Sequence, residues 1–124
     1  MSAPELIAKL RVARQSWVEL DPAKPHQRVQ IIRPPESEIG NFADTVGRGL
    51  VANLGKVCQY VTGWEGFTEA DLVGAAGSGD VVPFDAALWA EVVADRGDWL
   101  NLVATRLLDA IVNHVESKAK AAKN

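Results

Sequence analysis

The stretch QYVTGWEGFTEADLVGAAGSGD, residues 59–80, decides how this chain folds. It opens like the end of a helix, sets Trp64 near two glycines, and closes with Gly74, Gly77 and Gly79 spaced almost as in a phosphate loop. A Walker loop needs a lysine to reach the phosphates, and GAAGSGD has none; Asp80 follows its last glycine. A dinucleotide loop needs GxGxxG between a strand and a helix, whereas the order here is GxxGxG after a short helical segment. The segment therefore predicts a flexible connection between helices. Upstream, Thr62-Gly63 predicts a helix stop, with Gly63 as its left-handed cap. Downstream, Thr68 is placed to cap a new helix, Asp71 suits its first turn, and Phe67 can staple onto Leu72.

Working outward towards the N-terminus, Ile39, Phe42, Val46, Leu50, Leu54, Val57 and Val61 recur every three or four residues. This predicts a long central helix over 36–61, in which the glycines at 40, 47, 49 and 55 imply either close helix packing or a break near 47–49. SWVEL (16–20) and RVQIIR (28–33) read as two strands of a β-hairpin joined by the proline-containing DPAKPHQ, with Pro34-Pro35 ending the second. Residues 4–14 predict a first helix with a short apolar stripe of Leu6, Ile7 and Leu10. Towards the C-terminus, Asp85 is placed to cap a helix carrying Leu88, Trp89, Val92 and Val93, with Phe84 stapled onto Trp89. Gly97 ends it, and Asp98 caps a last helix striped by Trp99, Leu102, Val103, Leu107, Ala110, Ile111 and Val115. The basic tail, 116–124, is expected to fray. The fold class is thus α+β and mainly α: an N-terminal helix and a β-hairpin packed with a C-terminal helical bundle, in a single domain over 1–124.

Composition supports a globular chain: 48% of its 124 residues are hydrophobic and 23% charged. A net charge of −3 argues against a duplex-DNA partner, which selects a cationic face. The charge is uneven, with Arg11, Arg14, Lys24, Arg28 and Arg33 leaving the first third basic and 64–98 acidic. Glu5, Lys9 and Arg11 interrupt any signal-type apolar run, and no stretch approaches the roughly 20 apolar residues of a membrane helix. With Cys58 as the one cysteine, no internal disulfide can form, which fits a reducing, cytosolic setting.

The residues offer little chemistry. His26, His114 and Cys58 form no ligand pair at helical spacing and no CxxC, so no metal or other cofactor is expected. A Cys58–His114 nucleophile pair has no local support, and the scattered carboxylates present no acid–base pair. Four tryptophans are many for this length. Trp17, Trp89 and Trp99 read most simply as core or hinge anchors. Trp64 reads either as a wedge between helices or as a partner anchor.

SWVEL followed by RVQIIRPPESE, then YVTGWEGF, then VPFDAALWAEVVADRGDWLNLVATRLLDAIVNH, resembles the small tail assembly chaperones of long-tailed bacteriophages and prophages. The likeness spans roughly residues 6–115, and its most specific pieces are VTGWEGF (61–67) and VPFDAALW (82–89). The resemblance implies a non-enzymatic protein of the bacterial host cytoplasm. Its members bind the tape-measure protein, keep it soluble, assist assembly of the tail-tube protein around it, and self-associate, so a homo-oligomer is expected here. They supply no catalytic residues, and neither nucleic acid nor membrane is an expected partner. Trp64, Phe67 and Trp99, each beside a turn or cap, are the expected partner-binding residues, on the premise that such positions stay partly exposed. A head–tail joining or tail-terminator component, retained in the particle, is the competing reading; a small enzyme is a third.

Overall fold

The computed structural model describes residues 1–123 and shows an α+β, mainly helical fold. Helix α1 (Ala3–Val12) leads into strands β1 (Gln15–Glu19) and β2 (Arg28–Ile32). Helices α2 (Glu36–Thr45) and α3 (Leu50–Val57) follow, then a third strand, β3 (Val61–Glu65). Helices α4 (Glu69–Val73), α5 (Ala86–Ala94) and α6 (Gly97–Lys123) complete the chain. Asn124, the end of the tail expected to fray, lies outside the described residues; the rest of that tail continues α6 without a break to Lys123.

The hairpin forms as its alternation predicts. β1 pairs antiparallel with β2, Val18 opposite Val29, and this pair faces the core with Ile31. Trp17, expected as a core or hinge anchor, points to the other face of the sheet, where the Arg28 guanidinium lies 4.4 Å from its ring centroid. Strand alternation leaves no other choice once Val18 turns inward.

The central helix is not continuous: of close packing or a break near 47–49, the break is what forms. Gly47 and Gly49 adopt φ of 99° and 121°, values open to glycine, and break it into α2 and α3. The buried Asn53 side chain closes the break by accepting from the Gly47 N–H at 2.9 Å. Beyond α3, Val61–Glu65 is not a helix end but the third strand, antiparallel to β2, in a sheet of order β1-β2-β3. Gly63 is therefore no left-handed cap. The positive φ sits three residues later at Gly66, 79°, where the chain leaves the sheet.

The glycine-rich segment folds back on α4. Thr68 and Asp71 form a capping box, and the N–H groups of Glu69 and Ala70 donate to the carbonyls of Asp80 and Ser78 at 3.0 and 2.8 Å. The first turn of α4 is thus fully occupied by its own chain and offers an anion no free N–H. Gly77 permits this closure, since a Cβ there would stand 2.7 Å from the Glu69 and Ala70 backbone. Asp85 caps α5 as expected, accepting from Leu88 N–H at 2.9 Å. Asp98 does not cap α6; it lies inside the first turn and is bound by both Arg96 nitrogens, Nε and Nη2, at 3.1 and 2.9 Å.

The core forms where the inner face of the sheet meets α3, α5 and the first half of α6, through Val29, Ile31, Val57, Trp89, Val93, Val103 and Leu107. The two turn glycines separate in their expected response to substitution. A Cβ at Gly66 would stand 2.1 Å from the His26 carbonyl oxygen, at a φ that L-residues resist. Gly66→Ala is therefore expected to lower unfolding free energy in urea by about 2–4 kcal/mol. Gly63→Ala meets only the movable Gln30 side chain, and should change it by less than about 1 kcal/mol.

Candidate partner-binding surface

Trp64, Phe67 and Trp99 all lie in the core, with exposures of 8%, 1% and 8%, so the premise that made them partner anchors fails. Their rings form a ladder with Phe84: Trp64 stands 5.5 Å from Phe84 and 4.9 Å from Phe67, and Phe67 stands 6.0 Å from Trp99. The Trp64 indole N–H donates to the Val82 carbonyl at 2.8 Å, so the ring is satisfied within its own chain. Arg96 closes the far end, 3.7 Å from the Trp99 ring centroid. Proximity to a turn placed these residues at the ends of elements; it carried no information on what those ends meet.

The exposed apolar surface lies instead on the terminal helices. α1 is well begun, with Ser2 accepting from the Glu5 N–H at 3.3 Å, yet none of its residues is buried. Leu6, Ile7 and Leu10 share one face and are all exposed, Leu10 at 63%. A ten-residue helix of this kind is marginal on its own in water, because its few hydrogen bonds barely offset nucleation. A second set, Leu108, Val112 and Val115, lies exposed at helical spacing on α6. The sequence displayed the α1 stripe; what it did not display is that the domain closes without using it.

Between α2 and α6 runs an open groove of about 440 Å³, floored by Ile39, Gly40, Val115 and Ala119. A clasp crosses its rim. The Glu36 carboxylate meets His114 Nε2 at 2.7 Å and accepts from Lys118 Nζ at 2.8 Å. Hydrogen bonds from Lys118 and then His114, with the charge of both, hold the Glu36 carboxyl down at about 2. His114 is thus engaged with α2. Cys58, half-buried beside Trp89, has its thiol pushed up by burial, opposite to what a nucleophile requires. Among the described residues no group of histidine, cysteine and carboxylate side chains is arranged to hold a metal ion, and no helix is long and apolar enough to cross a membrane.

No family model matches this chain, and no curated protein or solved structure matches it either.

Core and surface apolar residues should respond differently. Trp64→Ala is expected to cost about 3–5 kcal/mol in a urea titration, as removal of a buried aromatic does. Leu10→Ala should stay within about 0.5 kcal/mol of the parent protein. The clasp sets an acid dependence. Because folding lowers the Glu36 value, the unfolded chain binds the extra proton first as pH falls from about 4.5 to about 2. The stability this carboxylate contributes is fully present above that window and is lost through it. Thermal melts across the window should therefore fall less steeply for Glu36→Gln than for the parent.

Proposed function

We propose that this protein is a non-catalytic phage tail assembly chaperone. It binds the tape-measure protein in the cytoplasm of the bacterial host, keeps it soluble, and assists assembly of the tail tube. The reading joins two independent supports. One is the sequence resemblance carried by SWVEL, RVQIIRPPESE, VTGWEGF and VPFDAALW. The other, which carries the most weight physically, is α1: a capped amphipathic helix whose apolar face the domain leaves uncovered.

The client that the resemblance implies is a long helical protein. Recognition of such a client works through apolar anchors at helical spacing, with no bond made or broken. Leu6, Ile7 and Leu10 supply anchors of that kind, and the Leu108–Val112–Val115 stripe supplies a second row. Lys9 and Arg11 beside the first row leave it basic, which suits a client with acidic flanks. The chaperone leaves when the tube is complete, whereas a joining or terminator component stays.

Co-expression with the tape-measure protein of the same genome tests this. The client should partition into the soluble fraction with the parent protein and into the pellet with a Leu6→Glu, Leu10→Glu double variant that melts like the parent. Equal client solubility with both forms would remove α1 from the interface. Recovery of this chain in stoichiometric amounts from purified particles by mass spectrometry would favour a structural component instead.

A further inference from the structure

A second surface is built of charge and lies where α1 passes into the sheet. Arg14 stands just before β1 and Arg33 just after β2, and the Arg33 N–H donates to the Arg14 carbonyl at 2.9 Å. This bond extends the β1–β2 pairing by one position and sets the two arginines opposite one another, both residues partly buried. They line one wall of a groove of about 370 Å³ whose other wall is α6, at Asn113, His114 and Ser117. No carboxylate lines this groove among the described residues. Glu36 attracts Arg33 through charge but is bound to His114 and Lys118.

The arrangement is electrostatically incomplete. Burial and the Arg14 charge together pull Arg33 below its ordinary value, as expected where like charges share a site. Arg33 Nη1 donates only to its neighbour's carbonyl, Pro34, at 2.8 Å. Arg14 Nε is shielded from solvent and has no hydrogen-bond partner among the described residues. That Nε lies beneath the surface and is not itself open to the groove; what Arg14 can offer a ligand there is the outer edge of its guanidinium, whose N–H fork matches oxyanions.

We propose that the Arg14–Arg33 groove is a binding site for a phosphate group, with the two guanidinium groups on the oxyanion and Asn113 and Ser117 beside it. A dianion answers two adjacent cations better than a single carboxylate does. The site is distinct from the apolar face of α1 and does not rest on the tape-measure reading.

Calorimetric titration with inorganic phosphate, with acetate as the monoanionic comparison, tests the assignment. Saturable one-to-one binding of phosphate is expected, weakened at least about tenfold by Arg14→Gln or by Arg33→Gln, the loss of one charge-assisted bond. Arg48→Gln, on the exposed turn between α2 and α3, should bind like the parent. In the parent protein alone, phosphate should shift the amide resonances of Asn113 and Ser117 in a ¹⁵N-resolved spectrum, which requires no variant to fold. Absence of saturable heat and of those shifts up to about 10 mM phosphate would overturn the proposal. So would phosphate binding that survives both arginine substitutions, or acetate binding as tight as that of phosphate.

Discussion

One extra residue in a strand holds the sheet to the helices. Between β2 and β3 the register slips: Gln30 faces Gly63 while Ile31 faces Val61, so Thr62 is the additional residue of a bulge. In a regular strand, Val61 and Trp64 would point to opposite faces. With the bulge both turn inward, and Thr62 turns out, its hydroxyl within 3.3 Å of the Gln30 side-chain oxygen. Trp64 then reaches Phe84 and Phe67, and Phe67 reaches Trp99 at the start of α6. The same indole, bonded to the Val82 carbonyl, fixes the segment that returns from the glycine-rich loop. Without the bulge, Val61 and Trp64 could not both face inward, and turning Trp64 outward would break its contacts with Phe67 and Phe84 while Val29 and Ile31 still pack on the helices.

The bulge also explains where sequence reading succeeded and failed. The hairpin was legible because Val29 and Ile31 alternate with polar residues, and alternation is a local property. The caps at Thr68 and Asp85 were legible because each needs only a side chain three residues from its target N–H. The third strand was not. Leu54, Val57 and Val61 are spaced by three and four, which is the signature of a helix, and here it arises from a helix end followed by a bulged strand. Gly63 strengthened the error by resembling a cap, while Gly66 carries the positive φ. For the candidate surface, the α1 stripe and the basic character of the first third could be read directly. That Trp64, Phe67 and Trp99 meet one another could not, since their contacts join β3, the α4 entry and α6, and no local pattern encodes such a meeting.

The molecule divides its tasks along its length. Hydrophobic closure is assigned to the inner sheet face and the middle of the chain, and is complete without α1. The outer sheet face is polar: Arg28 bridges Trp17 and Glu65, and Gln30 donates to Gln15 at 3.3 Å. Cross-strand pairs of this kind keep an exposed sheet ordered without adding a second apolar layer. Along the chain the acidic residues gather around α4 and α5 and the basic ones on the first helix and hairpin, and the two sets meet where Lys24 approaches Asp71 and Arg28 pairs with Glu65.

Helix α6 spans 27 residues, about 40 Å at the usual rise, but its buried side chains stop at Ile111. Past that point its described ties to the body are polar, with Glu36 gripping His114 and Lys118. A single unbroken helix therefore contains two stabilities. Amides from Leu100 to Ile111 lie in the stretch held by core packing and are expected to exchange with solvent mainly when the domain unfolds. Amides beyond Lys118 open by local unwinding, independently of the domain. The clasp is the boundary between these regimes, and loosening it would move that boundary back towards Ile111, lengthening the part of the helix free to uncoil while the fold stands.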